Sequence, residues 1–116
     1  MLDDVKTVLR ISNNAYDAEI EDLIEAAKMD LKLSGVNINK TVTETYTPEP
    51  TEENPEPDPV EIQVMDPLIK RAIMVYVKAN FGWNNPDAEK LQQSFRMLET
   101  HLALSQEYAE VTEDAV

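Results

Sequence analysis

Apolar residues recur at helical spacing in four stretches of the chain, and the gap between the second and third stretches breaks the pattern. The opening LDDVKTVLRI places Leu2, Val5, Val8 and Leu9 three or four residues apart, with Asp3 and Asp4 near the positive end of the helix dipole. A helix this short holds its shape only by docking on a neighbour. SNNAYD then supplies turn formers, and Asn14 with Asp17 has the spacing of a helix cap and a first-turn acid. Over residues 15–34, Ile20, Leu23, Ile24, Ala27 and Leu31 share one face, while Glu21, Glu25, Lys28 and Lys32 mostly turn away. Gly35 ends this helix, because glycine takes the left-handed conformation without a Cβ clash.

MDPLIKRAIMVYVKANFG restarts helix, with Asp66 as cap and Pro67 at the first helical position, where its missing N–H costs nothing. Leu68, Ile69, Ala72, Ile73, Tyr76 and Ala79 form a stripe, which Met74, Val75 and Val77 widen until little of the helix can face water. This is expected to be the central helix. Gly82 stops it. Asn85 as cap and Pro86 after it open a last helix, on which Ala88, Leu91, Phe95, Leu98 and Leu102 recur every three or four residues. One-sided apolar faces must bury each other, so the expected fold class is all-α, a small bundle of about four helices.

The gap is VTETYTPEPTEENPEPDPVEIQV, residues 42–64, with seven acids, five prolines and no base. VNINKTVTETY and VEIQV alternate weakly on either side of the prolines and could pair as two short strands, but an isolated two-stranded hairpin is marginal in water. Between Pro48 and Pro59 the prolines remove donors and the acids repel one another. The expectation for the insert, residues 36–65, is therefore a long acidic, proline-rich loop.

At 116 residues the chain is one domain over 1–116, with an acidic tail, residues 109–116, that is expected to fray. Without insert and tail about three-quarters of it remains to build a core, a size at which burial is low and partner surface is expected to complete the fold. The 23 acids against 10 bases give a net charge of -13. A body this negative repels nucleic-acid phosphate. The absence of cysteine excludes disulfides and thiolate chemistry. Met1 to Asp4 lack the basic start of a signal peptide, and no apolar stretch approaches the roughly 18 residues of a membrane span, so a soluble intracellular protein is the default expectation.

Candidate chemistry is sparse. His101, the single histidine, is one residue before apolar Leu102 and is read as an ordinary solvated or interfacial side chain, since one imidazole without cysteines is a poor start for a transition-metal site. Glu21 with Glu25, and Asp17 with Glu21, are carboxylate pairs at helical spacing, which a chain this acidic makes as a charged face. The loop acids lack the ligand alternation and central glycine of a calcium loop. Gly35 and Gly82 are the only glycines, so no phosphate-cradling loop exists. No catalytic, cofactor-binding or metal-binding residue is assigned, no cofactor is expected, and the chain is not read as an enzyme. Two features are left over. The central helix is apolar on more faces than small neighbours can cover, which favours self-association over a bundle that simply surrounds it. In NFGWN, Phe81 and Trp83 flank the break between helices, either packing back or anchoring on a neighbour.

LDDVKTVLRI, YDAEIEDLIEAAKMDLKLSG, DPLIKRAIMVYVKANFG and KLQQSFRMLETHLALSQEY, in this order and spacing, resemble the bacteriophage head–tail connector family that includes the gp6-like proteins of long-tailed phages. The resemblance covers nearly the whole chain outside the insert, which is longer than the short link associated with this position in the family. It implies a structural adaptor of a phage or prophage particle, assembling in the host cytoplasm after DNA packaging and residing at the head–tail junction of the virion. It implies as partners further copies in a ring, the portal, a further head-completion or tail protein, and double-stranded DNA passing through without sequence-specific binding, with no membrane. The family's apolar pattern falls on Leu23, Ile24, Ala27, Leu31, Leu68, Ala72, Ile73 and Tyr76. A head-to-tail ring needs two unlike surfaces, expected on the last helix with Arg96, Glu99 and His101 and around Tyr16 and Lys28. Residues 42–64 are expected to be a docking arm or channel-facing loop that orders on assembly; the plainer alternative is a tolerated surface insertion, since lengthening a loop costs only about 0.6 kcal/mol per doubling. An alternative function is an acidic binding protein that mimics DNA or inhibits a host factor by filling a basic groove.

Overall fold

Each predicted helix exists, and local chemistry explains the end of the second and the start of the third. The computed structural model describes residues 1–82, 85–105 and 107–109 as α1 (Leu2–Leu9), α2 (Asp17–Leu33), β1 (Thr41–Tyr46), β2 (Val60–Met65), α3 (Pro67–Asn80) and α4 (Ala88–Leu104). After α2, Gly35 adopts φ +94°. Its N–H donates to the Lys32 carbonyl and that of Val36 to the Leu31 carbonyl, both at 3.0 Å, the paired bonds of a Schellman cap. Val36 and Leu31 are both fully buried there, so the apolar contact that accompanies this cap is present. Before α3, Asp66 Oδ1 accepts from the N–H of Leu68 at 2.9 Å and of Ile69 at 3.4 Å, with Pro67 at the first helical position. That start is as the sequence predicts.

Two other predicted caps are corrected. α2 starts at Asp17 after Tyr16, with no side-chain cap bond, because Asn14 Oδ1 instead accepts from Lys6 Nζ at 3.1 Å. α4 starts at Ala88, not at Pro86, because Asn85 Oδ1 closes a tight turn on the Asp87 N–H at 3.0 Å and Asn85 Nδ2 reaches back to the Lys78 carbonyl at 2.7 Å.

α3 is central, touching α1, α2 and α4. Ile69, Ile73 and Val77 on α3 and Ile20, Leu31 and Val36 elsewhere in the same core cluster are fully buried, each worth about 1.5–3 kcal/mol of transfer free energy. Of the core expected from sequence, Ile24, Ala27, Leu31, Ala72 and Ile73 are buried and Leu23 and Tyr76 half-buried against them. Leu68 is not in the core, being 46% exposed. Helical periodicity gives the reason: Leu68 lies at i, i+3 and i+10 spacing with exposed Arg71 and Lys78, on a stripe where only Val75 is half-buried against the core, so this helix faces water more than its composition suggests.

The main correction concerns the fold class. The chain is not all-α with a long acidic loop: β1 and β2 form an antiparallel hairpin between α2 and α3, pairing Thr41 with Met65 through to Tyr46 with Val60. Pairing stops where the prolines begin, since Pro48, Pro50, Pro55, Pro57 and Pro59 have no N–H for a ladder. Residues 47–59 form the tip, where Thr51 and Asn54 exchange backbone hydrogen bonds at 3.0 and 3.1 Å. Across the strands, Thr41 Oγ1 donates to Gln63 Oε1 at 3.1 Å and Gln63 Nε2 donates to Thr43 Oγ1 at 2.6 Å. These cross-strand bonds, with proline restricting the unfolded chain, offset the marginality of a lone hairpin. The hairpin is an arm on a helical body. Consistent with this, the radius of gyration is 17.4 Å, against about 13 Å for a compact chain of this length.

Of the tail expected to fray, Ala109 pairs with Val36 as an isolated β-bridge, and just before the tail the Tyr108 carbonyl accepts a backbone bond from the Asn37 N–H at 2.7 Å. The remainder, residues 110–116, lies outside the described residues.

Candidate functional site

Strand alternation divides the arm into two faces. Thr41, Thr43, Thr45, Glu61 and Gln63 form a polar face carrying the Thr–Gln hydrogen bonds. On the other, Val42 opposes Val64, Glu44 opposes Ile62 and Tyr46 opposes Val60. Toward the tip this apolar face stands in water: Tyr46 is 49%, Ile62 39% and Val60 37% exposed. At its base, Val64 and Glu44 border a crevice shared with Met1, Asp4 and Lys70. Lys70 Nζ and Asp4 Oδ2 pair there at 2.8 Å, and this contact holds the Asp4 carboxyl below the usual aspartate range.

The arm is tied to the body at one buried carboxylate. Asp66 caps α3 through Oδ1, accepts from the Tyr108 hydroxyl through Oδ2 at 3.2 Å, and donates its N–H to the Lys40 carbonyl at 3.1 Å. Lys40 Nζ lies 5.1 Å from the centre of the Tyr108 ring, a cation–π contact. Burial, then the nearby Asp66 charge, pushes the Tyr108 hydroxyl above its ordinary pKa, so it stays a donor.

A second polar group sits between α2 and α4. Arg96 Nη1 bonds Glu99 Oε1 at 2.9 Å and Asp30 Oδ1 at 3.2 Å. Glu99 is buried, and its Oε2 has no partner among the described residues. Burial, with Asp30 beside it, raises the Glu99 pKa despite the arginine. The sequence carried the signal for this residue: Glu99 falls four after Phe95 and three before Leu102, on the apolar stripe of α4.

The surfaces named from sequence are only partly brought together. Glu99 is buried in the α2–α4 seam and the exposed Arg96 lies across it, whereas His101 is exposed and borders a groove between α3 and α4. Tyr16 packs edge-on against Phe81 with ring centres 5.6 Å apart, so Phe81 packs back on the body. Trp83 lies outside the described residues. Lys28 pairs with Glu25 on exposed α2 surface at 3.4 Å. Glu21 is exposed, and Asp17 leaves the carboxylate series for buried Lys6, with which it makes an ion pair at 2.8 Å. Among the described residues, no three histidine, aspartate or glutamate side chains converge to hold a metal. No described helix is long and apolar enough to cross a membrane.

A family model described as phage connector protein matches residues 1–109. No curated protein and no solved structure matches the chain.

Proposed function

The chain belongs to the phage connector protein family, and from that membership we propose that it is a structural adaptor of a phage or prophage particle, forming a ring that joins the capsid portal to the tail. The observation that carries this reading is the extent of the match, which includes all four helices and the whole arm and so covers a fold instead of a segment. Electrostatics supports the channel role. A ring of subunits each bearing -13 lets phosphate slide, because it lacks the counterion-release term with which basic proteins hold DNA. In this role the subunit assembles in the host cytoplasm, ends at the head–tail junction, and performs no turnover.

Absolute mass by light scattering, from dilute to concentrated protein, with and without purified portal, tests the proposal. A ring of defined mass, alone or on the portal, is the expected result. A chain that stays monomeric and binds neither portal nor DNA-filled heads overturns it.

A further inference from the structure

Resting on the connector reading, we propose that the apolar face of the arm docks in the α3–α4 groove of a second copy, so that arm and groove are the two unlike surfaces of a head-to-tail contact. The groove is lined by Arg71, Val75, Leu91, Ser94, Leu98 and His101, with Met97 at its edge. In a chain with 23 acids, no acid lines it. Lys78 stands seven residues beyond Arg71 on the same exposed stripe of α3, and Lys90 four before Ser94 on α4. Among the described residues, Arg71, Lys78 and Lys90 make no salt bridge, as is also true of Arg10, Lys32 and Lys40, so their charge is not neutralised within the subunit. The groove is therefore apolar at its floor and positive at its rim. Its exposed neighbours Leu68 and Met97 extend the apolar surface.

An occupant must bring apolar side chains framed by acids, which excludes nucleic acid, whose phosphates the net charge of the chain repels. The arm has that chemistry. Tyr46, Val60 and Ile62 stand exposed on one face, Glu44 sits among them, and the segment 42–64 holds seven acids and no base. Because arm and groove are different parts of one chain, each copy offers one of each, a heterologous contact that propagates and closes into a ring when the rotation permits. Apolar contact would supply most of the affinity, and the charges would set orientation and exclude other registers.

The chain has no cysteine, so introduced thiols report without background. Chains carrying Ile62→Cys on the arm and Ser94→Cys in the groove are mixed with a short bismaleimide, alone and with purified portal, and compared with Ile62→Cys mixed with Leu33→Cys, a position 81% exposed on α2. The expected result is a covalent heterodimer formed roughly 10-fold in excess over the control, the ratio that about 1.4 kcal/mol of preference gives. Adding Arg71→Glu and Lys78→Glu to the groove chain removes the excess, and high salt reduces it through screening. Equal yields from the two mixtures, with and without portal, overturn the proposal. A ring of defined mass without preferential cross-linking refutes this contact and leaves the connector reading standing; preferential cross-linking without portal or head binding does the reverse.

Discussion

Ile73 on α3 and Ile62 on β2 are the same side chain in opposite circumstances. The first has no exposed surface, and the second keeps 39% of its own. The difference runs through both regions. The body is held by apolar burial around α3, and its buried polar residues are few: Lys6 pairs with Asp17, Asp66 caps α3, and Glu99 bonds the exposed Arg96 through Oε1. The arm is held by a backbone ladder and threonine–glutamine bonds, and its apolar face remains half in water. Apolar surface in the body stabilises the monomer, whereas the same chemistry on the arm is available to a partner.

The comparison predicts unequal costs for equal truncations. Ile73→Ala is expected to lose about 2–5 kcal/mol in urea unfolding, as buried isoleucines do, and Ile62→Ala less than about 1 kcal/mol. Similar losses at both sites would break the distinction between body and arm. Asp66→Ala acts at the junction, removing a cap and leaving the Tyr108 hydroxyl unpaired; about 2 kcal/mol is expected, from a cap at about 1 and a lost hydrogen bond at about 1. Hydrogen exchange should then quicken at the amides of Leu68 and Ile69. Gly35→Ala meets no atom within 4 Å of its new Cβ but must hold φ +94°, so a thermal melt should show a loss of about 1 kcal/mol from backbone strain alone.

The smallest effect is a pH slope. Burial raises Glu99 above its ordinary 4.5, so the folded chain holds this proton more tightly than the unfolded one. That contribution is fully present below the ordinary value and is lost as pH rises through the raised one. Glu99→Gln should therefore flatten the dependence of stability on pH above 4.5 relative to the parent, measured by urea midpoints across that range. An unchanged slope would show that Glu99 is as solvated in the folded body as in the unfolded chain.

Features decided within a few residues were legible. The Asp66–Pro67 start, the Gly35 stop and the α2 core face each follow from local geometry, and the structure agrees with them. Asn14 and Asn85 have equally good capping chemistry, but Asn14 turned to Lys6, eight residues away, and Asn85 to the Lys78 carbonyl, seven away. The hairpin is the larger case. Its alternation was visible, yet pairing Thr41 with Met65 spans 24 positions, and the intervening prolines mark a break in the ladder without telling whether strands flank it.

By itself, the sequence determined four amphipathic helices, a charge of -13, the absence of thiol chemistry and a proline-interrupted segment, because composition and short-range periodicity depend on no distant contact. Only the tertiary structure decided that this segment is an arm, that its valines, Ile62 and Tyr46 share a face, and that Leu68, Arg71 and Lys78 stand outside the core. Closing a chain on itself is a competition among many distant partners, and the winner is set by the packing of the whole.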